Sequence, residues 1–499
     1  MTVLFSDFCL EDHTGEWPEF AHANFNAVIH EISQAAGCYL AEDHGHAIAV
    51  NDPFDIVQRL QNVAAAGEAK DVLRAYLQLH LATAPHLTSS GYLARQFSSP
   101  IPAAAALDAL ISMVPQPGSF FEVGPLPNAA DKLIQRAFEE RLGWTPDAGR
   151  MVSTSGGSLA NLTAILVARN CHVEGSWKGG LSTCTTRPAV AISADAHYSL
   201  ERAIGILGIG TDQIVRLPVD AKRRIDPDQA RQVLDTAATN GLQVFCLVAN
   251  AGTTSTGSID PLGALAKICV ERSIWFHVDG AHAGAFIVSD SLRPRLAGIE
   301  LADSFCIDAH KTMFIPAMCT LLFYRNAATA GAAFSTRASY VFSDPASEID
   351  HFESGGLNFE CTKRPGVLNL WITWAMYGRQ IFERKLDHLV YHAQVAHDLL
   401  QAQPDFVVHH EPDANILCFS HYPANLPIVE RGAFQTTLHE ALLKDGRFFL
   451  SKTDLDGLPV LRLVIMNHAI RSADITAMID AIRSIANGLI AARTLEQEP

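Results

Sequence analysis

A chain of 499 residues, 48% apolar and 18% charged, holds enough hydrophobic material for a large core, and its length points to a big catalytic domain with appended segments. Its formal charge of −16 repels phosphate backbones, and the basic run Lys222-Arg223-Arg224 is too short to reverse that, which sets nucleic acid aside as a partner. The stretch from Met1 to His13 has acids and no basic residues ahead of an apolar stretch, no apolar run approaches bilayer length, and the ten cysteines form no C-x-x-C pair. A cytoplasmic protein with reduced thiols and no membrane partner is expected.

Up to about Arg95 the sequence is rich in Ala and His, with helical spacing over 54–60 and 72–77. Residues 85–102 are punctuated by Ser, Gly and Pro and lead into a helix near Ala103. From about Arg150 to Arg325, short apolar runs at 189–194, 244–249, 274–278, 305–307 and 320–324 alternate with helical segments. That alternation predicts a largely parallel sheet covered on both faces, with functional residues at the carboxyl ends of its strands. From Gly366 a long helical pattern runs into strand-like pieces at 416–420 and 460–465 and a final helix from Ser472 towards Ala491. The predicted organisation is therefore α/β, with an N-terminal helical segment over 1–95, a large domain over 96–365 and a small C-terminal α+β domain over 366–499.

Three segments carry chemistry. Thr154-Ser155-Gly156-Gly157-Ser158-Leu159-Ala160-Asn161 opens a helix with small and hydroxyl residues where the first N–H groups are unpaired, which suits a phosphate cradle or an ordinary cap. The run 274–278 delivers Asp279, followed by Gly280, Ala281 and His282. An acid at the end of a buried strand either caps a helix or pairs with a cation such as a pyridinium nitrogen. Asp308-Ala309-His310-Lys311 then follows the strand 304–307. A lone lysine is usually a solvated surface charge, but at a strand end ahead of the apolar Met313-Phe314-Ile315 its amine can be desolvated enough to form an imine. One βαβ step separates it from Asp279, which turns both towards the same crevice.

In order from about Pro85 to Trp371, these segments resemble the group II pyridoxal-5'-phosphate (PLP) dependent amino-acid decarboxylases, the family of glutamate, aromatic-L-amino-acid, cysteine sulfinate and 2,4-diaminobutyrate decarboxylases. The resemblance implies PLP fold type I, like aspartate aminotransferase, with a mainly parallel seven-stranded sheet. It also implies PLP as cofactor, a homodimer, and decarboxylation of an L-amino acid to the amine and CO2. By that resemblance Lys311 binds PLP, Asp279 pairs with the ring nitrogen, Ala281 packs under the ring, and His197 of Ala196-His197-Tyr198-Ser199 stacks on its other face. Alone, His197 would read as a structural histidine. Gly157, Ser158, Asp308 and His310 match phosphate contacts, although an acid at 308 would repel a phosphate. Thr254 of Gly252-Thr253-Thr254 matches a residue near the cofactor O3' and the substrate carboxylate. Two departures from the family pattern stand out: Gly280 and His282 where Ala and Trp or Tyr are common, and Asn369 where a lysine often precedes Leu370-Trp371.

The resemblance also matches Tyr340, in Ala338-Ser339-Tyr340-Val341-Phe342, to the family's proton donor on a mobile loop. A tyrosine there implies amine as the product. Aldehyde-forming relatives, which couple decarboxylation to oxidative deamination, commonly carry phenylalanine, and a tyrosine that merely packs would not decide between the two. A scaffold protein without catalysis is the non-enzyme alternative, and it would have no use for Lys311, Asp279 and His197 together. The glycines at 205–210 lack dinucleotide-loop spacing. Pairs such as His409 and His410 lack third and fourth ligands, so no metal is expected.

Overall fold

The computed structural model describes residues 22–41, 45–332, 334, 352–424 and 426–497. The chain divides into two units: Met1–Arg95 with His421–Lys452 and Ala469–Pro499, and Gln96–Ser420 with Thr453–His468.

The second unit is built on a seven-stranded sheet of β1 (Arg150–Thr154), β2 (Arg187–Ser193), β3 (Ile214–Leu217), β4 (Leu242–Asn250), β5 (Trp275–Asp279), β6 (Ser304–Asp308) and β7 (Thr320–Tyr324). Their spatial order is β1-β7-β6-β5-β4-β2-β3. The pairs from β3 to β6 are parallel, and β7 runs antiparallel to both β6 and β1. This is the mainly parallel seven-stranded sheet that the family resemblance implies. All five predicted apolar runs fall on its strands; β1 and β3 were not foreseen. Thr154, the last residue of β1, reads as the start of a helix opening, and β3 is four residues long with an exposed Arg216.

Both faces of the sheet are covered, which is why the predicted runs are continuously apolar. Alternate residues along a strand point to opposite faces. Leu247, Phe276, Val278, Phe305, Leu321 and Phe323 pack with Ile134 and Phe138 of the helix Pro125–Leu142. Their neighbours Cys246, Val248, Trp275, Cys306 and Leu322 pack with Ala164, Ile165 and Val167 of the helix Gly157–His172. Asn250 lies opposite Asp279, and Asp279 opposite Cys306, in the parallel register. The ends of β4, β5 and β6 thus share one edge, where the helix Gly157–His172 begins.

The segment 366–499, expected as a separate C-terminal domain, is divided between the two units. The helices Val367–Tyr377 and Gln380–Gln401 bury Val367, Leu370, Phe382 and Leu386 in the same core as Phe305 and Phe323, so apolar complementarity attaches them to the large sheet. The strands β8 (Phe406–Val408), β9 (Ile416–His421), β10 (Ser451–Leu455) and β11 (Leu458–Val464) form a second sheet in the order β10-β11-β9-β8.

In the first unit, the described α-helices are His22–Ala41, Pro53–Ala64, Ala69–Thr83, Arg431–Asp445 and Ser472–Gln497. Leu93 N–H donates to the Phe449 carbonyl and Ala47 N–H to that of Gly446, around a small core of Ala47, Tyr92, Ala94 and Phe449. The last helix corrects one expectation from the sequence. Its span Ser472–Ala492 is long and apolar enough, by length and composition, to cross a bilayer, because Asp474, Asp480 and Arg483 interrupt the apolar residues without lowering their average much. A third of that span is buried, with Ile475, Met478 and Ile482 on one face.

Candidate active site

β6 ends at Asp308, and the single helical turn Ala309–Thr312 folds Lys311 back so that its Nζ lies 2.8 Å from Asp308 Oδ2. Thr320, at the start of β7, donates its hydroxyl to Asp308 Oδ1 at 2.6 Å. Ser98 fixes the turn by donating to the Lys311 carbonyl at 2.8 Å. Burial by itself would raise the Asp308 carboxyl, but the Lys311 ammonium and His310 outweigh it and hold the carboxyl below its ordinary range. Burial likewise works against a charged Lys311, yet Asp308, and after it Asp279, raise the amine above its usual value.

Asp279 ends β5 with both oxygens occupied. Asn161, one turn into the helix Gly157–His172, donates its amide to Oδ2 at 2.9 Å, and the Ala281 N–H donates to Oδ1 at 3.1 Å. His197 caps the helix Tyr198–Ile206: its Nδ1 accepts from the Ser199 N–H at 3.3 Å and lies 2.7 Å from the Ser199 hydroxyl, leaving Nε2 to carry the proton. Burial lowers the His197 pKa, opposed by Asp279. His310 shares its Nδ1 with the backbone of Cys319 and has Nε2 3.8 Å from Asp308.

These groups line one cavity of about 560 Å3, together with the residues 155–158 that open the helix Gly157–His172. Gly157, Ser158, His197, Thr254, Asp279, Ala281, Asp308, His310 and Lys311 are all brought together there, as the sequence anticipates; Tyr340 lies outside the described residues. Among the described residues the N–H groups of Gly157 and Ser158 have no acceptor. A Cβ on Gly157 would stand 3.0 Å from both Asp308 oxygens and 3.3 Å from Ala281, so a side chain there would have to push these neighbours back by a few tenths of an ångström. No group of three or more metal-ligating side chains stands among the described residues.

Several participants were not singled out in the sequence. Asn161 holds Asp279, and His277 with Ser304 holds Asn161. His282, flagged only as a departure from the family pattern, is buried in the cavity wall with its Nε2 2.7 Å from Asn415 Oδ1. Burial, reinforced by Lys311, pushes its pKa down to about 3, so it stays a neutral imidazole.

The donor set fits PLP: N–H groups at a helix start for a phosphate, a carboxylate at a strand end for a protonated ring nitrogen, an imidazole in the wall and a lysine amine within one cavity. Comparison with known proteins agrees. The model of the pyridoxal-dependent decarboxylase conserved domain matches residues 130–422. The L-aspartate decarboxylase of Metarhizium robertsii is 29% identical over 360 residues, 72% of this chain and 71% of that one. The aromatic-L-amino-acid decarboxylase of Bacillus atrophaeus is 28% identical over 342 residues, 68% of this chain and 70% of that one. The crystal structure of TDC from Oryza sativa with PLP and tryptamine superposes with a TM-score of 0.84, at 21% identity, over 94% of this chain and 99% of the other.

Proposed function

The chain belongs to the pyridoxal-dependent decarboxylase family, and from that premise we propose the part each site residue plays in its reaction. It is an enzyme that decarboxylates an L-amino acid with PLP. PLP, when bound, supplies the electron sink for the bond that releases CO2. Lys311 is the residue that bonds the cofactor, Asp279 faces the ring nitrogen as an acceptor, and His197 packs against the ring with Ala281 on the other side. The N–H groups of Gly157 and Ser158 hold the phosphate, with His310 beside them, and Thr254 lies near the substrate carboxylate. Asp308 is the counter-ion of Lys311, since its oxygens meet the lysine and Thr320. The observation that carries this reading is the convergence of Lys311, Asp279 and the unpaired helix-start N–H groups on one cavity.

The purified enzyme should be yellow, lose that absorbance on treatment with borohydride, and lose all turnover in Lys311→Ala. Near-normal activity in Lys311→Ala would sink the assignment. The product is the amine, with Tyr340 as the proton donor; oxygen uptake in step with CO2 release would instead indicate the aldehyde-forming reaction. A screen of L-amino acids for CO2 release identifies the substrate. We further propose a cytoplasmic homodimer. The half-exposed apolar side chains Leu110, Met113, Leu126, Leu133 and Met376, on helices that pack together, support a partner subunit. Light scattering that finds an active monomer would overturn it.

A further inference from the structure

β5 sets Trp275, His277 and Asp279 at alternate positions, so all three side chains point to the face covered by the helix Gly157–His172. The parallel register places Ser304 of β6 directly beside His277. Trp275, His277, Ser304 and Asn161 are all buried, and their hydrogen bonds join them in one chain. An indole N–H can only donate, and Trp275 Nε1 lies 2.9 Å from Ser304 Oγ, so the hydroxyl oxygen accepts. The hydroxyl hydrogen is then free to go to His277 Nδ1, which lies 2.8 Å away. With Nδ1 accepting, the ring proton sits on Nε2 and is donated to Asn161 Oδ1 at 3.0 Å. The Asn161 amide nitrogen is left facing Asp279 Oδ2 at 2.9 Å. Burial lowers the His277 pKa to about 4, so the ring has one proton to place.

We propose that Trp275, Ser304 and His277 form a directional relay that keeps the N–H side of the Asn161 amide, never its carbonyl, against Asp279, and so preserves Asp279 as an acceptor for the cofactor ring nitrogen. This rests on the assignment of Asp279 to the ring nitrogen. The arrangement has a competitor within reach. The Ser304 backbone carbonyl is 3.2 Å from His277 Nδ1 and can take a proton from that nitrogen. If it did, Nε2 would be bare, Asn161 would turn its N–H towards the histidine, and its carbonyl oxygen would oppose the Asp279 carboxylate. The Ser304 hydroxyl therefore selects the tautomer, and Trp275, by occupying one lone pair of that hydroxyl, aims its hydrogen. The Cys306 thiol, 3.3 Å from Asn161 Oδ1 and 3.6 Å from Asp279 Oδ1, can donate to either oxygen in the proposed arrangement. Trp275, Ser304, His277 and Asn161 are positioning residues; none of the first three lines the cavity.

The test is nitrogen NMR of full-length protein labelled with 15N-histidine, as apo-protein and with PLP bound, with the His277 signal assigned by its loss in His277→Gln. The parent should carry the proton on Nε2 in both forms. In Ser304→Ala the proton should move to Nδ1, and the dissociation constant for PLP should rise about tenfold, in the range that loss of an orienting neighbour produces around a bound group. Ser304→Thr, which keeps the hydroxyl, should match the parent in both readouts. A parent protonated on Nδ1 overturns the proposal, and that spectrum decides even if Ser304→Ala does not fold. An unmoved proton in folded Ser304→Ala also overturns it, as does a moved proton with unchanged cofactor affinity. Failure of the parent to bind PLP would instead refute the assignment of Asp279 while leaving the tautomer in the apo-protein measurable.

Discussion

Replacing Lys363 with methionine should destabilise the enzyme by about 3–5 kcal/mol, the range for removing one member of a buried ion pair. The Lys363 side chain is 2% exposed, and its ammonium donates to the Ser354 hydroxyl at 2.8 Å, the Ser153 carbonyl at 3.0 Å and the Ser153 hydroxyl at 3.1 Å. It also stands 3.7 Å from Asp131 Oδ2. Methionine fills a similar stem but removes the donor shared by these three oxygens, of which the Ser153 carbonyl keeps the Asn358 amide at 3.3 Å, and leaves Asp131 without the Lys363 cation. Burial already raises the Asp131 carboxyl, and Lys363 is the largest influence opposing that, so in the variant the acid should take up a proton and limit the damage. The effect reaches the cofactor, because Ser153 lies in the strand that leads into the 155–158 cradle. Urea unfolding followed by circular dichroism, with PLP affinity measured in parallel, gives both quantities. The double variant Asp131→Asn with Lys363→Met should be less destabilised than the sum of the single variants by about 1–3 kcal/mol. A loss below about 1 kcal/mol in Lys363→Met, or strict additivity in the double variant, would refute the reasoning.

In Gly157→Ala the new Cβ would stand 3.0 Å from the Asp308 oxygens and should raise the PLP dissociation constant about tenfold by fluorescence titration; unchanged binding would remove Gly157 from the cradle. Because Asp308 raises the Lys311 amine, Asp308→Asn should leave more of that amine neutral at a given pH, so that amine-directed labelling of Lys311 in the apo-protein speeds up; equal rates would deny the pairing. Stability should also fall as pH drops from 6 to 5. His277 and His410 at about 4 and His282 at about 3 stay neutral when folded but protonate when unfolded, so the unfolded state binds more protons and stability is lost downwards from about pH 6.5. Asp260, raised by burial to about 6, works in the opposite direction by taking up a proton only in the folded state. These four groups together should give a slope of roughly 2–3 kcal/mol per pH unit, and urea unfolding that is flat over this interval would contradict the burial of the histidines.

Lys311 and Asp279 were legible because each follows a short apolar run that could hardly be anything but a covered strand, and their residue types make sense together in one crevice; His197 was legible only through the resemblance of its segment to the family. β1 and β3 escaped notice for the converse reason: hydroxyls and arginines in short strands resemble loops and caps. Asn161, Trp275 and Ser304 were invisible as site residues because they meet through the register of two strands and one helix, and no spacing along the chain encodes that register. His277 was visible as a letter of a motif, but its role depends on which nitrogen carries a proton, a property of its neighbours. The attachment of 366–420 to the large sheet was missed because an amphipathic helix announces that it has an apolar face and not which core receives it. His282 departs from the family pattern, and its neutrality follows from burial that sequence alone does not report.

The reversed direction of β7 shapes how the site is assembled. Because β7 is antiparallel to β6, the chain need not cross the sheet between them, and residues 309–319 stay at the edge where Lys311 works. Closing so short a connection costs little chain entropy, so the lysine, its partner Asp308 and the Thr320 hydroxyl are held by a local hairpin instead of a distant crossover. The same connection supplies Met318 to the cavity wall. Met318 is about half exposed, unlike the buried Met313, Phe314 and Ile315 of the same connection, so a change of side chain there can reshape the space offered to a substrate without disturbing a strand pairing behind the amine.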